Sequence, residues 1–209
     1  SSDASHELRT PIAAVRAQAQ VALGARDEAE RRHALEALLT GCDRASHLVQ
    51  QMLTLARLEA TGAVTPASLD LAALARQVAA EQAPQALARR QSLVLDGADV
   101  ACPVQGDAGL LAVLLRNLLD NAVRYADDGS TVTLRFDASR LAVENDGTPL
   151  PEDIRTRLGE RFHRVAGQRE SGSGLGVSIV QRIAKLHGLG LSYRTRADGR
   201  GVVAEISAA

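Results

Sequence analysis

Ser5-His6-Glu7-Leu8-Arg9-Thr10-Pro11 opens the first clear pattern of this chain, because from Leu8 onward apolar residues return in alternating steps of four and three. This spacing is typical of a helix packed in a bundle or a coiled coil. The same stretch places an imidazole, a carboxylate and a hydroxyl within about one helical turn. It therefore predicts a helical fold and also carries candidate reactive groups.

Pro11 bears on where this helix begins, since proline lacks the backbone N–H and crowds the preceding turn. Either the helix begins at Pro11, with Thr10 as its N-cap, or it runs through Pro11 with a kink near His6. The residues alone slightly favour a helix that begins at Pro11.

A second helix follows the break at Gly24 and the charged turn at 26–28, and it carries two apolar stripes. Two stripes exceed what one helical hairpin can bury, and no third long heptad helix follows nearby. We therefore expect a homodimer in which two hairpins form a four-helix bundle, over the alternative of a bundle within one chain. One stripe consists of Leu35, Leu39, Cys42, Ser46, Val49, Leu53 and Ala56, and the other of Leu38, Ala45, Leu48, Met52 and Leu55.

The helical periodicity stops at Thr61, and turn residues gather up to Pro66. This change predicts a linker at 62–67 between a helical domain at 1–61 and a second domain at 68–209. In the second domain, alternating strands mix with helices without forming βαβ units. An α+β sandwich is expected, with a mostly antiparallel sheet and helices on one face. Helices are predicted at 71–89, 107–126 and 174–188, and strands around 93–95, 132–136, 141–143, 191–193 and 202–206.

The composition argues against several functional classes. A net charge of −1 and the scarcity of aromatic residues argue against nucleic-acid binding. No apolar run is long enough to cross a membrane, so no membrane contact is expected in this segment. Cys42 and Cys102 lack metal-type spacing and fit a reducing compartment rather than a disulfide scaffold. Because the chain begins almost at its first motif, we expect it to be part of a longer protein.

A polar face on the helix at 107–126 suits a metal ion with phosphates. Asn117, Asn121 and Arg124 lie at i, i+4 and i+7, opposite an apolar face. Amide oxygens suit Mg²⁺, and arginine can neutralise phosphate charge. Taken alone, the pattern favours an ordinary solvated helix face.

Two further patches have simple explanations when each is taken alone. In Glu144-Asn145-Asp146-Gly147 a strand ends in a polar turn, where an acceptor side chain could bond the exocyclic amine of adenine. Residues 160–164, followed by small residues up to 173, suit a lid whose arginines reach phosphate. A plain turn and a surface loop are the simpler explanations.

Gly172-Ser173-Gly174-Leu175-Gly176 stands directly before a predicted helix. Glycines permit close backbone approach, and a helix N-terminus offers unpaired N–H groups to phosphate. A dinucleotide-binding motif is excluded because its third glycine would be Val177 and no βαβ unit surrounds it. A P-loop is excluded because no Gly-Lys-Ser/Thr follows.

In this order, the patches closely resemble the motifs of the sensor histidine kinases of bacterial two-component systems. Ser5–Pro11 matches that family's H box, Asn117–Tyr125 its N box, Arg161–Arg164 its F box and Gly172–Gly176 its second glycine box. The resemblance spans essentially the whole chain. It implies a dimerisation and phosphotransfer hairpin followed by an ATP-binding domain of the gyrase and Hsp90 type. It also favours a first helix that runs through Pro11 with a kink near His6. Within the family, the chain looks most like kinases paired with OmpR-type regulators, near the QseC group.

The resemblance implies that ATP and Mg²⁺ bind the second domain, and that a homodimer phosphorylates His6 and passes the group to an aspartate of a response regulator. Glu7 is then the expected base, and Thr10 orients a water that reverses the second step. The full-length protein is expected to be an inner-membrane receptor with this segment on its cytoplasmic side. The implied nucleotide-binding residues are Asn117, Asn121, Arg124, Tyr125, Asn145, Gly147, Arg164, Gly172, Gly174, Leu175 and Gly176, with Asn121 and Asn117 as Mg²⁺ ligands.

One departure concerns the family's first glycine box, Asp-x-Gly-x-Gly, whose Asp contacts adenine. Counting back from Gly147 places Asn145 at the Asp position, and Pro149 replaces the second glycine. Asp146 is one residue away and should point to the other side of the strand. Asn145 still offers an amide oxygen, which is a weaker acceptor than a carboxylate, so nucleotide is expected to bind less tightly.

Two alternatives stay open, and the altered first glycine box supports the first of them. The first is a pseudokinase that binds ATP but acts as a phosphatase or a dimeric interaction module. The second is an ATP-driven clamp of the same ATPase fold, which would not need His6, and the intact H box argues against it.

Overall fold

The computed structural model describes residues 2–60, 66–97, 99–149 and 175–207, with the backbone alone at 2–8. The chain divides into two compact units, one ending at Glu59 and the other beginning at Ala60. In the described part of the chain, no helix combines the length and the hydrophobicity that a membrane crossing requires.

Two helices form the first unit, α1 at Ser2–Gly24 and α2 at Glu28–Ala60. Asp27 caps the start of α2, where its Oδ1 accepts the Glu30 N–H at 2.8 Å. This bond satisfies one of the N–H groups that the first turn of a helix leaves without a partner.

Pro11 lies inside α1, so the helix continues through this residue, as the family resemblance favours. The start at Pro11 that the residues alone slightly favour is wrong. Proline has no N–H to donate to the carbonyl of Glu7, so this bond of the helix ladder cannot form. The helix passes through the proline, and Thr10 is an exposed residue within it rather than its N-cap.

The two apolar stripes of α2 have different environments. Leu48 and Leu55, from the second stripe, are buried within the hairpin together with Leu58. Leu39 and Leu53, from the first stripe, are 63% and 54% exposed. The hairpin therefore covers the second stripe at least in part by itself and leaves most of the first stripe exposed.

In its described residues, the second unit is an α+β fold in which three helices pack against a five-stranded sheet. Its elements are β1 (Ala67–Asp70), α3 (Leu71–Ala88), β2 (Ser92–Asp96), β3 (Pro103–Gly106), α4 (Ala108–Tyr125), β4 (Thr131–Phe136), β5 (Arg140–Asn145), α5 (Leu175–Leu186), β6 (Gly190–Thr195) and β7 (Val202–Ser207). The strand order is β2-β4-β5-β7-β6, with β2 and β4 parallel and the other neighbours antiparallel. The prediction of an α+β domain with a mostly antiparallel sheet is confirmed.

Alternation along the central strands places the core of this unit. In β4, Leu134 is fully buried whereas Thr133 beside it is partly exposed. Leu134 pairs with Val143 of β5, which pairs in turn with Ala204 of β7. These side chains form a buried row across the sheet, on the face that packs against the helices.

A second, two-stranded sheet of β1 and β3 was not predicted from the sequence. Asp70 joins this sheet to α3, because its Oδ1 accepts the N–H groups of Ala72 at 3.0 Å and of Cys102 at 2.8 Å. The hydrogen bond from Cys102 is the largest of the effects that hold the pKa of the Asp70 carboxyl below its ordinary value.

His187 joins the end of α5 to the start of α4. The Asp107 N–H donates to its Nε2 at 3.0 Å, and its Nδ1 lies 2.8 Å from the Ile183 carbonyl oxygen. These two partners require the tautomer with its proton on Nδ1. His187 is therefore a structural residue, in agreement with the sequence, which gives it no catalytic context.

Candidate functional site

Helix α4 carries the predicted polar face, and its opposite face anchors it in the core. Asp107 caps its N-terminus by accepting the Leu110 N–H at 2.9 Å. Asn117, Asn121 and Arg124 are partly buried. The buried face consists of Leu111, Ala112, Leu114, Leu115, Leu118, Leu119, Ala122 and Val123. Packing of this face fixes the rotation of α4 and, with it, the position of the polar residues.

Gly176, in the first turn of α5, packs directly against the two asparagines. A Cβ at this position would lie 3.1 Å from Asn117 Oδ1 and 3.6 Å from Asn121 Nδ2. Asn117 Nδ2 donates to the Val113 carbonyl at 2.8 Å, so Oδ1 is the atom that faces the glycine. The structure thus brings together three residues that two separate motifs predict to form one site.

This junction has donor atoms that suit a hard cation with bound phosphates. Mg²⁺ takes oxygen ligands and keeps few protein ligands when it binds with a nucleotide. The amide oxygen of Asn117 is an atom of this type, and Gly176 keeps the space beside it free of a side chain. Among the described residues, His, Cys, Asp and Glu side chains form no group of three that could hold a metal elsewhere.

Arg124 and Tyr125 lie at the end of α4 in partly buried positions. Arg124 Nη2 pairs with Asp120 Oδ2 at 2.9 Å, one turn earlier on the same helix. A phosphate would have to share this guanidinium with Asp120. The sequence alone does not reveal this competition.

Gly147 lies directly against the backbone at the end of α4. Its φ of +142° favours glycine, and a Cβ there would lie 2.6 Å from the Tyr125 carbonyl oxygen. An isolated β-bridge joins Gly147 to Ala126. The turn after β5 is thereby fixed to the end of α4.

Asn145 ends β5 on the same face as Leu141 and Val143, and only 5% of it is exposed. Its Nδ2 donates to the Asp146 carbonyl at 3.2 Å. The Asp146 side chain pairs instead with Arg196, as the strand alternation predicts. A neutral amide therefore takes the position on the helix-facing side, and the carboxylate lies on the other side.

The remaining predicted residues differ in what the structure says of them. Leu175 opens α5, but its side chain is fully buried in the core, so only its backbone could contact a ligand. Thr10 lies in α1 at i+4 from His6 and is exposed. The residues that lie outside the described part are Arg164, Gly172 and Gly174, together with the side chains of His6 and Glu7.

Arg89 and Gln91, in the connection between α3 and β2, were not predicted, yet they hold the C-terminal end of α4. Arg89 Nη1 donates to the carbonyls of Val123 at 2.8 Å and Arg124 at 2.6 Å. Gln91 Nε2 donates to the carbonyls of Val123 at 2.9 Å and Ala126 at 3.2 Å. No sequence signal marks them, because polar residues after a helix also occur in ordinary loops.

Comparison with known protein families gives two matches along the chain. Residues 1–61 match the His Kinase A (phospho-acceptor) domain. Residues 106–208 match the histidine kinase-, DNA gyrase B- and HSP90-like ATPase family. The second match contains α4, the end of β5 with the turn after it, and the start of α5, which together carry those predicted nucleotide-binding residues that the structure describes.

Individual relatives agree with these matches. The chain is 42% identical to the sensor protein QseC of Salmonella typhi over 202 residues, which are 95% of this chain and 44% of that protein. The solved cytoplasmic segment of histidine kinase QseC is 30% identical, with a TM-score of 0.55, over 79% of this chain and 92% of that one. Full-length ShkA in complex with AMPPNP is 27% identical, with a TM-score of 0.68, over 98% of this chain and 44% of that one. The chain thus spans less than half the length of the sensor protein QseC.

Proposed function

Because the chain belongs to the sensor histidine kinases, we propose that it transfers the γ-phosphoryl group of ATP to His6 and then to an aspartate of a response regulator. The observation that carries this proposal is the packing of Gly176 against Asn117 and Asn121, which joins two nucleotide-binding motifs in one place. The phospho-acceptor match over residues 1–61 contains His6 and supports it as the acceptor.

The ATPase unit would hold the nucleotide with residues from α4, α5 and the turn after β5. Asn117 and Asn121 supply amide oxygens for Mg²⁺. Asn145 offers Oδ1 to the exocyclic amine of adenine, while Tyr125 borders the base and Arg124 the phosphates. Bound Mg²⁺ and ATP supply the phosphoryl donor and part of the charge neutralisation that phosphoryl transfer requires.

His6 acts as the nucleophile through a neutral imidazole nitrogen. A bond forms between this nitrogen and the γ-phosphorus, while the bond from that phosphorus to the ADP oxygen breaks. Glu7 accepts the proton that the imidazole loses. Thr10 lies one turn further along α1, on the same face as His6, and orients the water that removes the phosphoryl group from the regulator.

The uncovered stripe of α2 supports a homodimer through a four-helix bundle, since a second copy would bury Leu39 and Leu53. The resemblance of the chain's motifs to those of kinases paired with OmpR-type regulators favours such a regulator as the partner. It also supports a location on the cytoplasmic side of the bacterial inner membrane.

The test is incubation with γ-labelled ATP and Mg²⁺, with wild type, His6→Gln and His33→Gln compared. His33 is an exposed histidine of α2 and serves as the matched control. We expect acid-labile, alkali-stable label on wild type and on His33→Gln, and none on His6→Gln. Equal label on His6→Gln would exclude His6 as the acceptor.

A pseudokinase is the second candidate, and the neutral amide of Asn145 at the family's Asp position favours it. It predicts that wild type binds an ATP analogue yet remains unlabelled. Appearance of label in Asn145→Asp would then assign the loss of kinase activity to this position.

A further inference from the structure

We propose that Arg89 and Gln91 are positioning residues for base recognition, which orient the Asn145 amide through the C-terminal end of α4. The proposal rests on the proposed function, because it requires a nucleotide base beside Asn145. We call the pair Arg89 and Gln91 the clamp.

The clamp bonds the carbonyls that α4 leaves without helical partners at its C-terminus. Besides its bonds to the carbonyls of residues 123 and 124, Arg89 donates through Nη2 to the Ala126 carbonyl at 3.3 Å and through Nε to Asp128 Oδ1 at 2.9 Å. Gln91 is 5% exposed and donates to carbonyls of the same segment. The clamp thus fixes residues 123–128 from the side of the connection between α3 and β2.

The clamped segment holds the end of β5 by two contacts. Ala126 forms the bridge with Gly147, and the Asp127 N–H donates to the Asp146 carbonyl at 3.2 Å. That same carbonyl accepts Asn145 Nδ2 at 3.2 Å. The Asp146 carbonyl is therefore the atom through which the clamp reaches the Asn145 amide.

The orientation of this amide decides which base it can accept. Because Nδ2 is held by a carbonyl, Asn145 presents Oδ1 as an acceptor. Adenine carries an amino donor at the position where guanine carries a carbonyl acceptor. The held amide therefore selects adenine, whereas a rotated amide would donate from Nδ2 to the carbonyl of guanine and favour that base. A carboxylate is an acceptor in either orientation, so the clamp matters for selectivity only because this position is an asparagine.

The Gln91 side chain carries a buried polar atom that lowers the stability of the fold, and packing alone does not explain why a polar residue occupies this position. Its Oε1 is buried and has no hydrogen-bond partner among the residues that the structure describes. Such an oxygen destabilises the fold, and an apolar side chain of similar size would avoid it. The amide is explained by its other end, because Nε2 donates to the carbonyls of Val123 and Ala126 and so holds the C-terminal end of α4.

The test is a double-mutant cycle on the intact chain, with Gln91→Met, Asn145→Asp and the double variant compared with wild type. Calorimetry measures the dissociation constants of non-hydrolysable ATP and GTP analogues with Mg²⁺. We expect Gln91→Met to lower the preference for adenine about fivefold, the contribution of one neutral hydrogen bond. In the Asn145→Asp background, the same change should leave the preference unaltered.

Two further variants keep the test decisive. Arg89→Lys loses the planar fork of the guanidinium and should also lower the preference for adenine. This variant replaces Gln91→Met in the test if circular dichroism shows that Gln91→Met is unfolded. Glu81→Gln is the control. Glu81 lies in α3 and pairs at 2.8 Å with Arg116 of α4, so its substitution removes a different contact to α4 and should leave the preference for adenine unchanged.

The outcomes separate the inference from the proposed function. If adenine binds and Gln91→Met has no effect on the preference, or has the same effect in both backgrounds, the clamp has no role in base selection. If neither analogue binds wild type, the proposed function is wrong and the inference falls with it.

Discussion

The helical hairpin and the α/β unit bury their apolar residues in different ways. The α/β unit closes a core on itself, in which Leu111, Leu134 and Leu141 are fully buried. The hairpin covers one stripe of α2 and leaves Leu39 and Leu53 exposed. The stability of the hairpin should therefore depend on protein concentration, whereas that of the α/β unit should not.

Leu39→Arg tests this difference with the largest expected effect. In a dimer, the change places two charges in the apolar seam between the hairpins, so we expect the chain to become a monomer at micromolar concentration. Size-exclusion chromatography with light scattering measures the mass. Thr40→Arg is the matched control, because Thr40 is the next residue, is exposed and lies outside both stripes. A Leu39→Arg protein that remains dimeric would remove this stripe from the interface.

Leu134→Ala tests the self-contained core. Leu134 is fully buried in β4, so we expect the free energy of unfolding of the α/β unit to fall by about 2–5 kcal/mol. Urea unfolding followed at two protein concentrations should give the same midpoint for this unit at both. Thr133→Ala, on the partly exposed side of the same strand, should cost about 0.5 kcal/mol or less. A midpoint that rises with concentration would show that the α/β unit also depends on a partner.

The sequence predicts best the features that arise from periodicity. The long helices and the strands of the large sheet follow from heptads and alternation. In contrast, β1 and β3 have four residues each, and Pro103 opens β3, so neither shows a pattern that could be detected. Pro11 misleads because the cost of one lost helical bond is local, whereas the packing of the hairpin is not.

The candidate site shows the same limit. The motifs predict Asn117, Asn121 and Gly176, and the fold brings them together. The pairing of Arg124 with Asp120 and the clamp on the end of α4 are not visible in the sequence. Contacts of this kind depend on which side chains face each other after folding, and spacing along the chain does not specify them.

Asp70 joins elements within the α/β unit alone, so its substitution should change the stability of that unit without any effect on the dimer, and by less than Leu134→Ala. Asp70→Ala removes the N-cap of α3 and should lower the free energy of unfolding by about 1 kcal/mol at pH 7. Asp70→Asn keeps an acceptor and should cost less. The folded state lowers the pKa of this carboxyl, so its charge stabilises the fold above the unfolded pKa, and this contribution is lost as pH falls through the folded pKa. Urea unfolding from pH 7 downward should show wild type and Asp70→Asn converging in acid. A constant difference would exclude the charge as the cause.

Arg135→Gln tests an exposed ion pair of the α/β unit and should change the free energy of unfolding least among these variants. Arg135 pairs with Asp96 at 3.1 Å and approaches Glu144 at 3.8 Å, on a side of the sheet where its own side chain is 56% exposed. Exposed ion pairs of this kind contribute about 0–1 kcal/mol and are screened by salt. In urea unfolding at low salt, we expect the free energy of unfolding to fall by about 0.5 kcal/mol or less. At about 1 M salt, where the Debye length is about 3 Å, it should not fall. The oligomeric state should not change. Leu39 is exposed to a similar degree, yet its substitution should dissociate the dimer. Exposure alone therefore does not identify an interface; an exposed residue must also be apolar and lie in a continuous stripe, because only such a surface gains free energy when a second copy covers it.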